Sequence, residues 1–138
     1  MTLKYLIDTN TISEPVRETP NLKVLRKMKL HSSEMGIPSI VWHELLFGVE
    51  RLEKSKKRER LEFYLNSTIQ TTLPILNYDE KAALWHAQER ARLQKLGLQV
   101  PFADAQIAAI AYTNQLILVT RNEPDFKHFK KLKVENWF

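Results

Sequence analysis

The chain has no cysteine among its 138 residues and only three glycines. The first absence excludes disulfides, thiolate catalysis and cysteine-based zinc sites. The second leaves too little glycine for a Walker loop or a GxGxxG fingerprint, and neither is present. No GxSxG elbow occurs, which disfavours the serine hydrolases built on it. No apolar stretch reaches the length of a membrane span. One lysine precedes a short apolar run that stops at Asp8, so the N-terminus lacks the h-region and cleavage site of a signal peptide. A cytoplasmic protein without a membrane partner is expected.

What is there reads as a folded domain. Hydrophobic residues make up 43% and charged residues 27%, too apolar a mixture for disorder. The length suits one domain over residues 1–138, with neither repeat nor linker inside it. The net charge of +5 is a mild hint of an anionic partner. Four acids gathered in one pocket would sharpen that hint, leaving twelve acidic against 21 basic residues elsewhere. A negative pocket in a positive surface suits phosphates reached through a metal ion.

Apolar patterning alternates strands with helices. Lys4 to Ile7 reads as a buried strand that ends on Asp8. Asn21 to Leu30 carries a helical spacing. Glu34 to Ile37 reads as a second strand, Pro38 interrupts it, and Ser39 is the expected N-cap of a helix reaching about Glu53. Ser55 to Leu65 reads as a charged, solvated helix. Leu73 to Leu76 reads as an edge strand despite Pro74. Asp79 should cap a long helix closed by Gly97. Ala103 to Tyr112 reads as an apolar helix, Leu116 to Val119 as the clearest strand, and Lys127 to Glu135 as a short helix with a last edge strand. The alternation predicts an α/β fold, a three-layer α/β/α domain with a mostly parallel central sheet.

Several motifs fail on inspection. His43-Glu44-Leu45-Leu46-Phe47 begins like a zincin helix, but Phe47 stands where the second histidine ligand is required. His31, His86 and His128 show no ligand spacing and read as surface or interface residues. Asp8-Thr9-Asn10-Thr11 resembles the start of a haloacid-dehalogenase-type phosphatase, yet Asn10 replaces the expected general acid. A response-regulator receiver needs an acid pair after its first strand and a lysine after its last core strand, and the chain has neither.

Four acids remain at informative places. Asp8 follows a strand, and Asp125 follows the clearest one. Glu44 falls in the stripe of Ile40, Val41 and Gly48, facing the interior or a cleft, or else it is a surface glutamate at the stripe's edge. Asp104 lies in the first turn of its helix, where simple capping is the competing explanation. If the first and last runs belong to one parallel sheet, their acids share the edge where such sheets place ligands.

Together these residues resemble the PIN-domain ribonucleases, especially the VapC-type toxins of type II toxin–antitoxin pairs. The likeness rests on Leu6-Ile7-Asp8-Thr9-Asn10 with Ser13-Glu14, on Ser39 through Gly48 around Glu44, on Ala103 to Ala109 around Asp104, and on Thr120 to Phe126 around Asp125. It implies a Mg²⁺-dependent endoribonuclease, with Mn²⁺ a possible substitute. In it Asp8, Glu44, Asp104 and Asp125 are the catalytic acids, and Asp8 and Asp104 are direct metal ligands. Thr120 and Asn122 would support the carboxylates and the phosphate. The physics agrees: like charges about 4 Å apart repel by roughly 4 kcal/mol even at an effective dielectric near 20, so such a cluster calls for a cation. Oxygen-only ligands select a hard ion that retains waters. The resemblance further implies an RNA substrate, a cognate antitoxin and a homodimer. A PIN-type RNA-processing nuclease outside any toxin pair, or a non-catalytic domain using the acid cleft for a basic peptide, are the alternatives.

Overall fold

A computed structural model of the chain describes residues 2–138. Five strands form one sheet: β1 (Tyr5–Ile7), β2 (Met35–Pro38), β3 (Ile75–Leu76), β4 (Ile117–Val119) and β5 (Val134–Glu135). Their order is β3-β2-β1-β4-β5, and every pair is parallel. β1 sits at the centre because its three residues are apolar on both faces, and Leu6 and Ile7 are wholly buried. Continuous apolar runs of this kind belong to strands covered by helices on both sides. The two shortest strands lie at the edges, β3 with Pro74 just before it and β5 at the other side.

The helices are α1 (Thr9–Ile12), α2 (Leu22–Leu30), α3 (Ser39–Glu50), α4 (Lys56–Phe63), α5 (Gln70–Thr72), α6 (Glu80–Lys95) and α7 (Phe102–Thr113). Local chemistry sets most of their ends. Asn21 Oδ1 accepts from the N–H groups of Lys23 and Val24 at the start of α2, and Asp79 Oδ1 accepts from Ala82 N–H at the start of α6. Gly97 closes α6 with φ of 73°, a left-handed conformation that glycine adopts without steric cost. Buried Glu14 ties the turn after α1 to the start of α2, its Oε1 accepting from Asn21 N–H at 3.0 Å.

Four sequence expectations need correction. Ser39 is the first residue of α3 rather than its cap; Pro38 holds the cap position with no side-chain hydrogen bond, and the helix ends at Glu50. The charged helix does not stop at Leu65: a π-helical turn over Tyr64–Ile69 leads into α5, and buried Leu65, Ile69 and Leu73 hold this stretch to the core. The tail after Phe126 forms no helix; a 3₁₀ turn over Glu123–Phe126 precedes it, anchored by buried Phe126, and β5 follows. His86 is buried, not superficial, and its Nδ1 pairs with Tyr78 Oη at 2.7 Å. By contrast α4 buries no residue, as its charge pattern predicts, and Arg58 pairs with Glu62 at 2.6 Å. No helix among the described residues is long and apolar enough to cross a membrane.

Gly36 lies where β1 and β3 crowd β2. A Cβ there would stand 2.9 Å from Leu76 Cδ1 and 3.2 Å from the carbonyl oxygen of Pro74. That carbonyl accepts from Ile37 N–H at 3.0 Å, so it cannot retreat without breaking the ladder. Gly36→Ala is therefore expected to destabilise the fold by about 1–2 kcal/mol, overpacking being only partly offset by the stiffer unfolded chain. Urea unfolding should show a lower midpoint with an unchanged slope.

Candidate active site

Because all strands run the same way, their C-terminal ends share one edge. The chain leaves β1 toward β2 on one side, while β4 and β5 lie on the other, so the crevice between β1 and β4 is the topological switch point. Ligands of open α/β sheets bind there. Asp8 follows β1 and Thr120 follows β4, one on each side of this crevice. Helices that connect parallel strands run back against them, so α7, which leads into β4, begins at the same edge with Asp104 in its first turn. The chain also enters α3 there from β2, bringing Glu44.

Asp8 is buried, with 8% exposure, and both its oxygens are engaged. Oδ1 accepts from Thr9 N–H at 2.7 Å, capping α1, and Oδ2 accepts from the Thr120 hydroxyl at 2.8 Å. Its backbone N–H still donates to Val119 O, so the sheet ladder continues up to the site. Thr120 is wholly buried, and its hydroxyl oxygen also accepts from Asn122 N–H at 3.1 Å. One hydroxyl thus orients the carboxylate and shapes the turn that carries Asp125. Asn122 contributes through its backbone; its exposed side chain forms no hydrogen bond with the acids.

Glu44 is exposed while Val41 of the same stripe is buried, so the carboxylate stands at the open edge of the stripe and not in the interior. Its Oε2 accepts from the Thr9 hydroxyl at 3.0 Å. Thr9 therefore links Asp8, through its backbone, to Glu44, through its side chain. Sequence reasoning passed over Thr9; a hydroxyl directly after the strand-end carboxylate was the available signal.

Asp104 does not cap its helix. The position before α7 is Pro101, and no side-chain hydrogen bond caps it. Instead its carboxyl is pushed up to about 6, first by desolvation and then by the negative charges of Asp8, Asp125 and Glu44. The other three acids thus lie within electrostatic reach of Asp104. Asp125 sits exposed in the 3₁₀ turn, whose N–H donates to Asn122 O at 3.0 Å.

No three histidine, aspartate or glutamate side chains among the described residues close on one point as a complete ligand set would. The donors still fit a hard divalent ion. Such an ion keeps several waters and takes one or two carboxylates directly, and here the partly buried Asp104 feels the negative charge of three further carboxylates.

The chain matches the PIN domain family over residues 5–132. It is 33% identical over 135 residues to the tRNA(fMet)-specific endonuclease VapC of Salmonella typhimurium, covering 98% of each chain. To toxin FitB of Neisseria gonorrhoeae it is 35% identical over 124 residues, covering 88% of this chain and 89% of the other. In structure it superposes on DNA-bound VapBC from Salmonella typhimurium with a TM-score of 0.85, at 32% identity and 99% coverage of both chains. FitAcB from Neisseria gonorrhoeae gives 0.88, at 33% identity and 96% coverage of both. The chain belongs to the PIN-domain family, among its VapC-type members.

Proposed function

We propose that this protein is a Mg²⁺-dependent endoribonuclease, the toxin of a type II toxin–antitoxin pair, acting in the cytoplasm as a single domain. The observation that carries the nuclease reading is the gathering of Asp8, Glu44, Asp104 and Asp125 at the switch point, with Asp104 pushed toward its protonated form first by burial and then by the other three. Relatives named as VapC endonuclease and toxin FitB support the substrate class and the biological role. Structures of VapBC and FitAcB assemblies support a protein partner, here a cognate antitoxin. A homodimer completes the reading.

Asp8 and Asp104 would hold the ion directly, while Glu44 and Asp125 would hold its waters. The ion, Mg²⁺ or Mn²⁺, supplies a more acidic attacking water and offsets charge on the phosphate oxygens. Thr9 N–H and the Thr120 hydroxyl keep the Asp8 carboxylate aimed before substrate arrives, so no reorganisation is needed during the reaction. The Thr9 hydroxyl fixes Glu44 across the cleft. Asn122, exposed at the start of the turn that carries Asp125, would contact a phosphate. Attack by water expels the 3′ oxygen, leaving a 5′-phosphate and a 3′-hydroxyl. The RNA 2′-hydroxyl takes no part as nucleophile, so preference for RNA comes from contacts outside the acids, with unpaired segments bending most readily into the cleft.

Incubation of the full chain with end-labelled structured RNAs tests this. Cleavage should require Mg²⁺ or Mn²⁺, stop on chelation, return on readdition, and yield 5′-phosphate ends. Cleavage that persists in excess chelator, or that leaves 2′,3′-cyclic phosphate, would refute the mechanism. Co-expression with the product of an adjacent small reading frame should restore growth and suppress cleavage. If no such partner suppresses it, the toxin assignment fails while the nuclease stands.

A further inference from the structure

A second feature lies on the other flank of α7, between that helix and α6. There a cleft of about 270 Å³ is lined by His86, Arg90, Gln94, Gln99, Phe102 and Ala105 among others. This is close to the lower end of small-molecule pockets, which begin at about 300 Å³. Its lining contains no acid, and Arg90 is the only fixed charge. Phe102 is 53% exposed. The Arg90 guanidinium stands 5.4 Å from the ring centroid, and the His86 ring meets it nearly edge-on at 4.8 Å.

The walls are set by backbone. Between the two helices, Gly97 N–H donates to Gln94 O at 3.0 Å and Leu98 N–H to Leu93 O at 2.9 Å, so the connection folds back on α6. His86 is pinned through Nδ1 by the Tyr78 hydroxyl, which leaves Nε2 as its free nitrogen. Burial and the neighbouring Arg90 lower its proton affinity, so the imidazole is neutral at pH 7. The cleft therefore offers a flat apolar face, a planar cation, a neutral imidazole and two amides able both to donate and to accept.

We propose that this cleft is a nucleobase subsite, with Phe102 as its stacking platform, seating one unpaired base of the RNA beside the scissile phosphate. The inference rests on the ribonuclease reading above. Stacking on aromatic rings and guanidinium planes is how proteins hold splayed-out RNA bases, and amide groups read their edges. Placement supports it: Ala105 of the cleft directly follows Asp104, and Phe102 precedes Asp104 within the same helical turn. Two positions apart, the Phe102 and Asp104 side chains leave opposite flanks of the helix, so a chain crossing over the start of α7 is what would meet both. The lack of any lining carboxylate disfavours a basic peptide as occupant, and Arg90 suits the phosphates that accompany a base.

The test has two arms on the full-length protein. Isotope-labelled wild type is titrated with each of the four nucleoside 5′-monophosphates in metal-free buffer. At least one should give saturable amide shifts confined to residues 86–105, and Phe102→Ala should abolish them. In the second arm, RNA cleavage by Phe102→Ala should show KM raised about tenfold or more, the loss expected for one stacked base. Its kcat should be largely kept and its choice of cut sites broadened, while Phe102→Trp should restore KM. Absence of shifts with all four nucleotides, or an unchanged KM and cut pattern, overturns the subsite. So does a fall in oligomeric mass in Phe102→Ala by light scattering, which would make this face a contact between copies. Saturable shifts in a chain that cleaves no RNA would support the subsite and sink the nuclease reading alone.

Discussion

Asp8→Asn is expected to lower RNA cleavage at least a hundredfold, about 2.7 kcal/mol of lost transition-state stabilisation, while the protein stays folded. The substitution keeps shape and removes charge. The amide oxygen of asparagine can still accept from Thr9 N–H, where Asp8 Oδ1 does so at 2.7 Å. The new NH₂ would face the Thr120 hydroxyl, now 2.8 Å from Oδ2, and that hydroxyl can turn to accept instead of donate. What disappears is a full negative charge at the centre of the acid cluster, and with it one proposed metal ligand. Single-turnover cleavage and thermal melting, measured on the same preparation, separate the two effects. A variant that melts like wild type and cleaves at more than a tenth of its rate would remove Asp8 from the mechanism.

Asp104→Asn carries the second large effect, and its sign depends on metal. In the folded chain the Asp104 carboxyl titrates at about 6, against an ordinary value of 3.8. Between those values the folded state binds more protons than the unfolded one, so stability falls as pH rises through this window. At pH 7 without metal, the ionised carboxylate therefore opposes folding. The full separation corresponds to about 3 kcal/mol. Partial exposure of the group and screening by water reduce this to about 1–2 kcal/mol. Asp104→Asn should thus melt higher than wild type in chelator at pH 7, and the gap should close toward pH 4 as the wild-type group becomes protonated.

Mg²⁺ should reverse that order. A ligand at a hundred times its dissociation constant stabilises the state that binds it by about 2.7 kcal/mol. Wild type gains this and Asp104→Asn does not. Equal melting shifts in the two proteins on adding Mg²⁺ would show that Asp104 does not hold the ion. Lower stability of Asp104→Asn in chelator would show that the acids do not crowd one another.

The parts legible in the sequence are those that local chemistry decides. β1 and β4 are apolar runs bounded by polar residues, and α6 begins with Asp79 and ends at Gly97, each with its own hydrogen bonds or backbone conformation. The start of α3 was misplaced because Ser39 is a good cap by type, whereas β2 runs straight into the helix through Pro38. The helix over Ser55 to Leu65 was ended too early, because what carries the helical path on to Thr72 is the tertiary packing of Leu65, Ile69 and Leu73, which no local pattern announces.

At the site, Asp8, Asp104 and Asp125 were visible because each falls where an element ends or begins, and Glu44 because it lies in a helical stripe within α3. Their hydrogen bonds were not visible. The Thr9 to Glu44 bond spans 35 residues, and nothing local in either residue announces it. The helical stripe left Glu44 either facing inward or at the stripe's edge, and only the structure shows it exposed. That His86 is buried became evident only once Tyr78 and Phe102 were placed around it.

The position of β1 also dictates when the enzyme can exist. Its residues leave the ribosome first, yet both of its sheet neighbours come later, and β4 begins only at Ile117. The bond from Thr120 to Asp8 closes over 112 residues. At about 5–20 residues per second, Asp8 waits several seconds for its partner during synthesis. A polypeptide halted before Ile117 has the central strand and most of the helices but neither Thr120 nor Asp125, so the cluster around Asp8 is incomplete. Synthesis of the chain thus sets its own delay, since a fragment ending short of β4 lacks the hydroxyl that orients Asp8.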